Sequence, residues 1–113
     1  MIELIILDHL SSTLNTDDVY MEVPDDPPAS FIVIDKTGGG EENLIGSATI
    51  AIQSYGATML DAALLNESVK EAMRSATESR YIYSASLETD YNFTDSRTKR
   101  YRYQAVYDIS YNE

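Results

Sequence analysis

The sequence predicts an α+β domain: a mostly antiparallel sheet of about five strands, with an N-terminal helix and one longer helix packed on it. Three observations predict it. Period-two alternation runs from Tyr101 to Tyr111, as in a strand with one buried face. Apolar residues recur at helical spacing between Met59 and Ala76. The remaining β-rich runs are short and punctuated by Pro, Gly, Asn or Asp. At 113 residues, 43% of them hydrophobic, the chain suffices for one domain spanning 1–113 and is too short for two ordinary ones.

Segment 2–14 sets Ile2, Leu4, Ile5, Ile6, Leu7, Leu10 and Leu14 among Glu3, Asp8 and His9, which predicts a helix with a wide apolar face. Asn15 to Asp18 form a polar turn. Val19 to Val23 is a short edge strand stopped by Pro24, and Asp25-Asp26-Pro27-Pro28 is a rigid connection, because proline lacks a donor and restricts its predecessor. Phe31 to Ile34 is continuously apolar, a strand expected to end at Asp35-Lys36-Thr37-Gly38-Gly39-Gly40, with a loop through Asn43. Residues 44–55 restart β character, with Ala48, Ile50 and Ile52 on one face and Thr49, Ala51 and Gln53 on the other, so they pair with 31–35 as a hairpin.

Gly56 breaks that strand. Thr58 and Asp61 have the spacing of an aspartate-variant capping box, which starts a helix over about 57–76. Tyr81 to Tyr91 reads as a strand with Tyr83, Ala85, Leu87 and Thr89 facing one way and Ile82, Ser84, Ser86 and Glu88 the other. Asn92 to Ser96 supplies a turn, and Tyr101–Tyr111 returns antiparallel.

Composition narrows function by exclusion. Eight basic and nineteen acidic residues give a net charge of −11, which argues against a surface built for a DNA backbone or an anionic membrane. The absence of cysteine removes disulfides, thiolate zinc sites and Cys nucleophiles, and suits a reducing compartment. With one histidine and no paired acid and base, nucleophile or metal set, an enzyme is the weakest reading, and no cofactor is expected. The apolar runs fall far short of the ~20 residues that span a bilayer, and no secretory signal is expected.

Five features hold candidate chemistry. Thr37-Gly38-Gly39-Gly40 could turn amides toward a phosphate, but no Gly-Lys-Ser/Thr follows and Glu41 and Glu42 repel anions, so a flexible hairpin tip reaching a neighbouring subunit is the better reading. Arg97, Lys99, Arg100 and Arg102 beside Tyr101 and Tyr103 could suggest single-stranded nucleic acid. Alternation separates Arg102 from the tyrosines, however, and favours an exposed basic edge that meets acidic surface on another subunit. Nine tyrosines, five of them between Tyr91 and Tyr111, serve core and interface alike. The pairs Asp17-Asp18 and Asp25-Asp26 lack EF-hand spacing and read as solvated turns. His9 has no serine or ligand partner at a telling spacing.

The run Phe31-Ile32-Val33-Ile34-Asp35-Lys36-Thr37-Gly38-Gly39-Gly40, then Ala48-Thr49-Ile50-Ala51-Ile52-Gln53-Ser54-Tyr55, an alanine-rich helix and Arg100-Tyr101-Arg102-Tyr103-Gln104-Ala105-Val106-Tyr107 give a joined pattern over about residues 19–111. It resembles the small tail terminator, or tail completion, proteins of long-tailed bacteriophages and of prophages of Gram-positive bacteria. The resemblance implies an α+β subunit of a hexameric ring in the virion neck, assembled in the bacterial cytoplasm. Such a ring caps the head-proximal end of the tail tube, stops tube growth and presents a docking surface to the head connector. Its partners would be copies of itself, the tail tube protein and the connector or stopper, with DNA passing through the lumen unbound and no membrane involved. Strand edges and the 36–46 segment are the expected ring contacts. The interface candidates are Thr37, Gly38, Gly39, Gly40, Glu41, Arg97, Lys99, Arg100 and Arg102. A head completion or stopper protein fits the same features. An acidic DNA-mimic inhibitor would share the charge, but should array its carboxylates along one surface.

Overall fold

In the computed structural model, which describes residues 1–112, helix α1 (Ile2–Leu14) buries Ile2, Ile6 and Leu10, one residue per turn along a single stripe. Asn15 stops it in the left-handed region (φ 53°), where its amide bonds the Ser11 carbonyl. Helix α2 (Met59–Met73) begins where the sequence places it: Thr58 Oγ1 accepts the Asp61 amide at 3.1 Å. It stops short of residue 76, because the amides of Arg74 and Ser75 bond carbonyls three residues back and the chain tightens into a 3₁₀ turn at Ala76–Glu78.

Five strands form one sheet, β1 (Val19–Tyr20), β2 (Phe31–Glu42), β3 (Ile45–Gly56), β4 (Ile82–Asn92) and β5 (Tyr101–Asn112), in the spatial order β1-β2-β3-β5-β4. All neighbours are antiparallel except β1, which runs parallel to β2. The architecture is the α+β fold the sequence predicts. β1 lies on an edge as expected but has two residues rather than five; Met21 to Val23 leave the ladder on the way to Pro24.

Two expectations need correction. β2 does not end before the glycines: Gly38, Gly39 and Gly40 are strand residues opposite Thr49, Ala48 and Ser47, after a bulge at Thr37. Glycine's weak β propensity is overridden by a ladder with β3 that continues from Gly38 to Glu42 beyond the bulge. The turn lies instead at Asn43 and Leu44, both left-handed (φ 53° and 67°), as a two-residue hairpin of the primed kind requires. In β4, strict alternation fails because bulges interrupt it between Ile82 and Ser84 and between Leu87 and Thr89. Ile82, Ala85, Leu87 and Asp90 therefore share the face of their partners Tyr111, Ile109, Tyr107 and Ala105. The strand also includes Asn92, and an Asp95–Arg100 bridge prolongs the ladder into the connecting turn.

Both helices cover one face of the sheet. Ile32, Ile34, Ala48, Ile50, Ile52, Ala105, Tyr107, Ile109 and Tyr111 meet α1 and α2 there in the main core. A smaller cluster lies on the opposite face, where the Phe31 and Tyr55 rings stack 4.4 Å apart and Tyr20 meets Phe31 edge-on. The passage from β3 to α2 is tight. A Cβ on Gly56 would lie 2.4 Å from the Ala62 nitrogen and 2.8 Å from the Asp61 carbonyl carbon, both backbone atoms. Gly56→Ala is therefore expected to cost about 1–3 kcal/mol in chemical denaturation. Gly38→Ala, whose Cβ meets nothing closer than 3.9 Å, should leave the midpoint nearly unchanged.

Candidate functional site

The face without helices is held by side chains paired across strands. Arg102 is its fixed point: Nε donates to the Phe93 carbonyl at 2.7 Å, Nη1 donates to the Tyr55 hydroxyl at 2.7 Å, and the guanidinium lies 4.4 Å from the Phe93 ring centroid. The chain continues laterally. Tyr55 donates to Gln53 Oε1, Gln53 Nε2 to Gln104 Oε1 at 2.9 Å, and Gln104 Nε2 to the Tyr91 hydroxyl at 2.6 Å. Further along, Thr49 donates to Asp108, and Ser84 and Ser110 share a 2.7 Å hydrogen bond. Asp108 also faces Glu88, and this carboxyl neighbour holds the Glu88 pKa above its ordinary value.

The sequence expectation that Arg102 is exposed is thus corrected. It is half-buried and tied down, while Arg97, Lys99 and Arg100 are exposed on the β4–β5 turn. That turn is organised: Asp95 accepts the Arg97 amide at 3.0 Å, a bond that, with those from Thr98, lowers the Asp95 pKa, and Lys99 is left-handed at φ 55°. Tyr101 and Tyr103 lie on the helix-covered side, opposite Gly56 and Ser54, so these two tyrosines do not share a face with Arg102, whose aromatic neighbours are Tyr55 and Phe93.

Thr37, Gly38, Gly39, Gly40 and Glu41 lie in β2, on an edge. β1 pairs only with Ile32 and Val33, so the outer side of β2 from Ile34 onward has no strand beside it, and residues 35–45 are all exposed. None of the glycines has positive φ. A Cβ would meet only Thr49 at 3.9 Å from Gly38 and Ser47 Oγ at 3.5 Å from Gly40, whereas at Gly39 it would displace the flexible Lys36 side chain and lie 3.1 Å from the Ser47 carbonyl oxygen. These residues and the basic turn lie at opposite ends of the sheet: β3 carries Ile45 beside the glycine end and Gly56 beside Tyr101. The structure does not bring the two candidate groups together.

The helix side holds two further polar groups. Lys70 bridges Glu67 at 2.9 Å and Asp90 at 3.3 Å, which raises its pKa, and Asp90 accepts Asn66 Nδ2. His9 does meet a serine, which spacing concealed: Ser75 Oγ is 3.4 Å from Nε2. Both groups, however, lie against the Ala72 carbonyl, at 2.8 and 3.0 Å. The tautomer that donates to this carbonyl has its proton on Nε2 and no lone pair there to activate Ser75. His9 ties α1 to the end of α2. Among the described residues no three His, Asp or Glu side chains gather as a metal site, and no helix is long and apolar enough to cross a membrane.

No family model and no curated protein matches the chain. Among solved structures it is similar to a chain of the virion of a native gene transfer agent particle, with 11% identity, 92% of this chain and 84% of that chain covered, and a TM-score of 0.48.

Two outcomes test this side-chain network. Arg102→Ala should destabilise the fold by about 1–3 kcal/mol in urea unfolding, with Arg97→Ala and Arg100→Ala near zero. The raised Glu88 pKa means that the folded state binds this proton more tightly than the unfolded chain. Wild type therefore loses stability as pH rises from the ordinary carboxylate range through the raised Glu88 value. Glu88→Gln removes that loss, so its melting temperature should gain on wild type as pH is raised across this window.

Proposed function

We propose that the protein is a structural subunit of the neck of a long-tailed phage or phage-like particle, a ring component that caps the head-proximal end of the tail tube, stops its polymerisation and offers a docking surface to the head connector. The observation that carries this reading is the bare edge at Gly38–Gly40. None of these three glycines in an exposed edge strand is left-handed, and side chains at Gly38 and Gly40 would fit the subunit itself, so neither position is explained by the subunit's own packing. Glycine within a strand marks a place where another backbone approaches closely, and an open edge is a template for another chain.

The opposite edge is also unpartnered. β4 has β5 on one side only, and Tyr81, Tyr83, Leu87, Tyr91 and Phe93 along it and its flanks are 39–55% exposed. A subunit with two different open edges suits a heterologous contact, the kind that closes into a ring when the rotation allows. The resemblance of the 19–111 pattern to tail terminators supplies the neck assignment. The carboxylates do not favour DNA mimicry. They are spread over α1, the 17–26 segment, the β2–β3 tip, α2 and the open face rather than set in one row.

The test is electron microscopy of lysates from a phage or prophage deleted for this gene. Overlong tails beside unattached, DNA-filled heads are expected. A wild-type plasmid copy should restore infectious particles, and a copy with Gly38→Val and Gly40→Val should fail to do so while the purified variant remains folded. Tails of normal length beside emptied heads would mean a stopper, and normal particles would overturn the neck reading.

A further inference from the structure

Two groups of opposite charge stand without an ion pair in different parts of the subunit. Among the described residues, the ion pairs involve only Lys70 and Arg74 with Glu67, Glu71 and Asp90. Arg97, Lys99 and Arg100, three of the eight basic residues, stand exposed on the β4–β5 turn without a carboxylate partner in their own subunit. Asp17, Glu22, Asp25 and Asp26 are exposed and equally unpaired, on the segment that flanks β1. Asp18, which accepts the Tyr20 hydroxyl, adds a fifth carboxylate.

Register places both groups at one level of the sheet. Tyr101 lies opposite Gly56, Tyr55 opposite Phe31, and Val19 opposite Ile32, so the basic turn and the 17–26 segment adjoin the same end of the strands. Asp17 and Asp18, next to β1, lie on the lateral side opposite the basic turn. β1 is the first strand of the sheet and β4 the last, four spacings or about 19 Å apart. Asp17 and Asp18, beside β1, are therefore at the height of the basic turn on the other flank; Glu22, Asp25 and Asp26 follow on the segment whose Val23 packs on the Phe31–Val33–Tyr55 cluster. Pure rotation about a ring axis along the strands brings together surfaces at equal height on opposite flanks.

We propose that the occupant of the acidic β1 flank is a second copy of this chain, whose Arg97, Lys99 and Arg100 dock on Asp17, Glu22, Asp25 and Asp26. The proposal rests on the ring reading above and names its contact. The same lateral approach brings the bare edge of β2 toward the exposed edge of β4. Loss of like-charge repulsion at this contact selects head-to-tail over back-to-back association, because two basic turns or two acidic segments would repel.

The experiment uses the full chain. Variant one holds Arg97→Glu, Lys99→Glu and Arg100→Glu; variant two holds Glu22→Lys, Asp25→Lys and Asp26→Lys. All six positions are exposed, and circular dichroism checks the fold of each. By light scattering, wild type assembles, and each variant alone associates at least about tenfold more weakly. Mixed in equal amounts, the variants restore assembly, with an even number of subunits alternating in the ring. In wild type, a zero-length carbodiimide cross-link between Lys99 and Asp17 or Asp18, read by mass spectrometry, reports the same contact without mutation, because β1 and β4 are about 19 Å apart within one subunit, beyond its reach. A wild-type ring with neither the cross-link nor any loss in the two variants overturns this contact and leaves the ring reading intact. A wild-type chain that stays monomeric at all concentrations overturns both.

Discussion

Helices cover one face of this sheet and leave the other to itself, and the remaining features follow from that constraint. β3 sits at the centre with long antiparallel ladders on both sides. Every second residue, Ala48, Ile50 and Ile52, is buried under α1 and α2, while the intervening residues have no second layer to meet. The open face answers with a skin of lateral pairs. Tyr55 with Arg102, Gln53 with Gln104 and Tyr91, and Thr49 with Asp108 satisfy one another and shield the backbone below, so that Ala51 is buried without a helix over it. A thin domain of this kind gains stability from lateral order rather than thickness, which is why Arg102, bonded at once to β3 and to the β4–β5 turn, counts for more than the three basic residues before it.

Element lengths explain where surface is left over. Twelve-residue strands extend about 40 Å, whereas the fifteen residues of α2 rise only about 22 Å. One helix crossing the sheet cannot cover both ends, and the molecule is 43 Å long in its longest direction. The uncovered part is the β2–β3 arm, where exposure is continuous from Asp35 to Ile45 and Leu44 stands at the tip. Open edges carry a hazard of indefinite association. The bulges in β4, Lys36 on β2 and the acidic pair Glu41-Glu42 restrict which strand can approach, and in which register, without closing the edge.

What could be read from the sequence divides along sequence separation. α1 was legible to its ends because its stripe and its Asn15 stop are local, and the Thr58–Asp61 cap is contained in four residues. The fold class and the strand pairs β2–β3 and β4–β5 were legible from periodicity. The glycine run misled because propensity is a local property and the ladder opposite Ser47–Thr49 is not; the signal available was the two-residue Asn43-Leu44 turn, which lets the strands run to its edge. The β4 bulges left no mark in the pattern of Ser, Ala and Thr. Alternation puts Arg102 on its face but carries nothing of its surroundings, since Tyr55 lies 47 residues away. In the sequence Gly56 reads as a strand breaker, whereas its hydrogen is what allows the backbone of α2 to come so near.

A subunit of charge −11 poses a problem for any ring built from copies of itself, and distance resolves it. The net repulsion acts between whole subunits, over separations of tens of ångströms, while the proposed docking of the basic turn on the 17–26 segment would act at contact. At physiological ionic strength the screening length is about 8 Å, which removes most of the long-range repulsion and spares a pair in contact; at 0.01 M it is about 30 Å and the repulsion returns. Salt thus acts on the two effects in different ranges, and moderate ionic strength favours association more than either extreme. The same reasoning applies to the lumen of the proposed ring. A surplus of carboxylates does little at a distance in physiological salt, yet it denies phosphates a place to settle at close range, so one acidic composition is compatible with both the closed ring and the DNA passage proposed here.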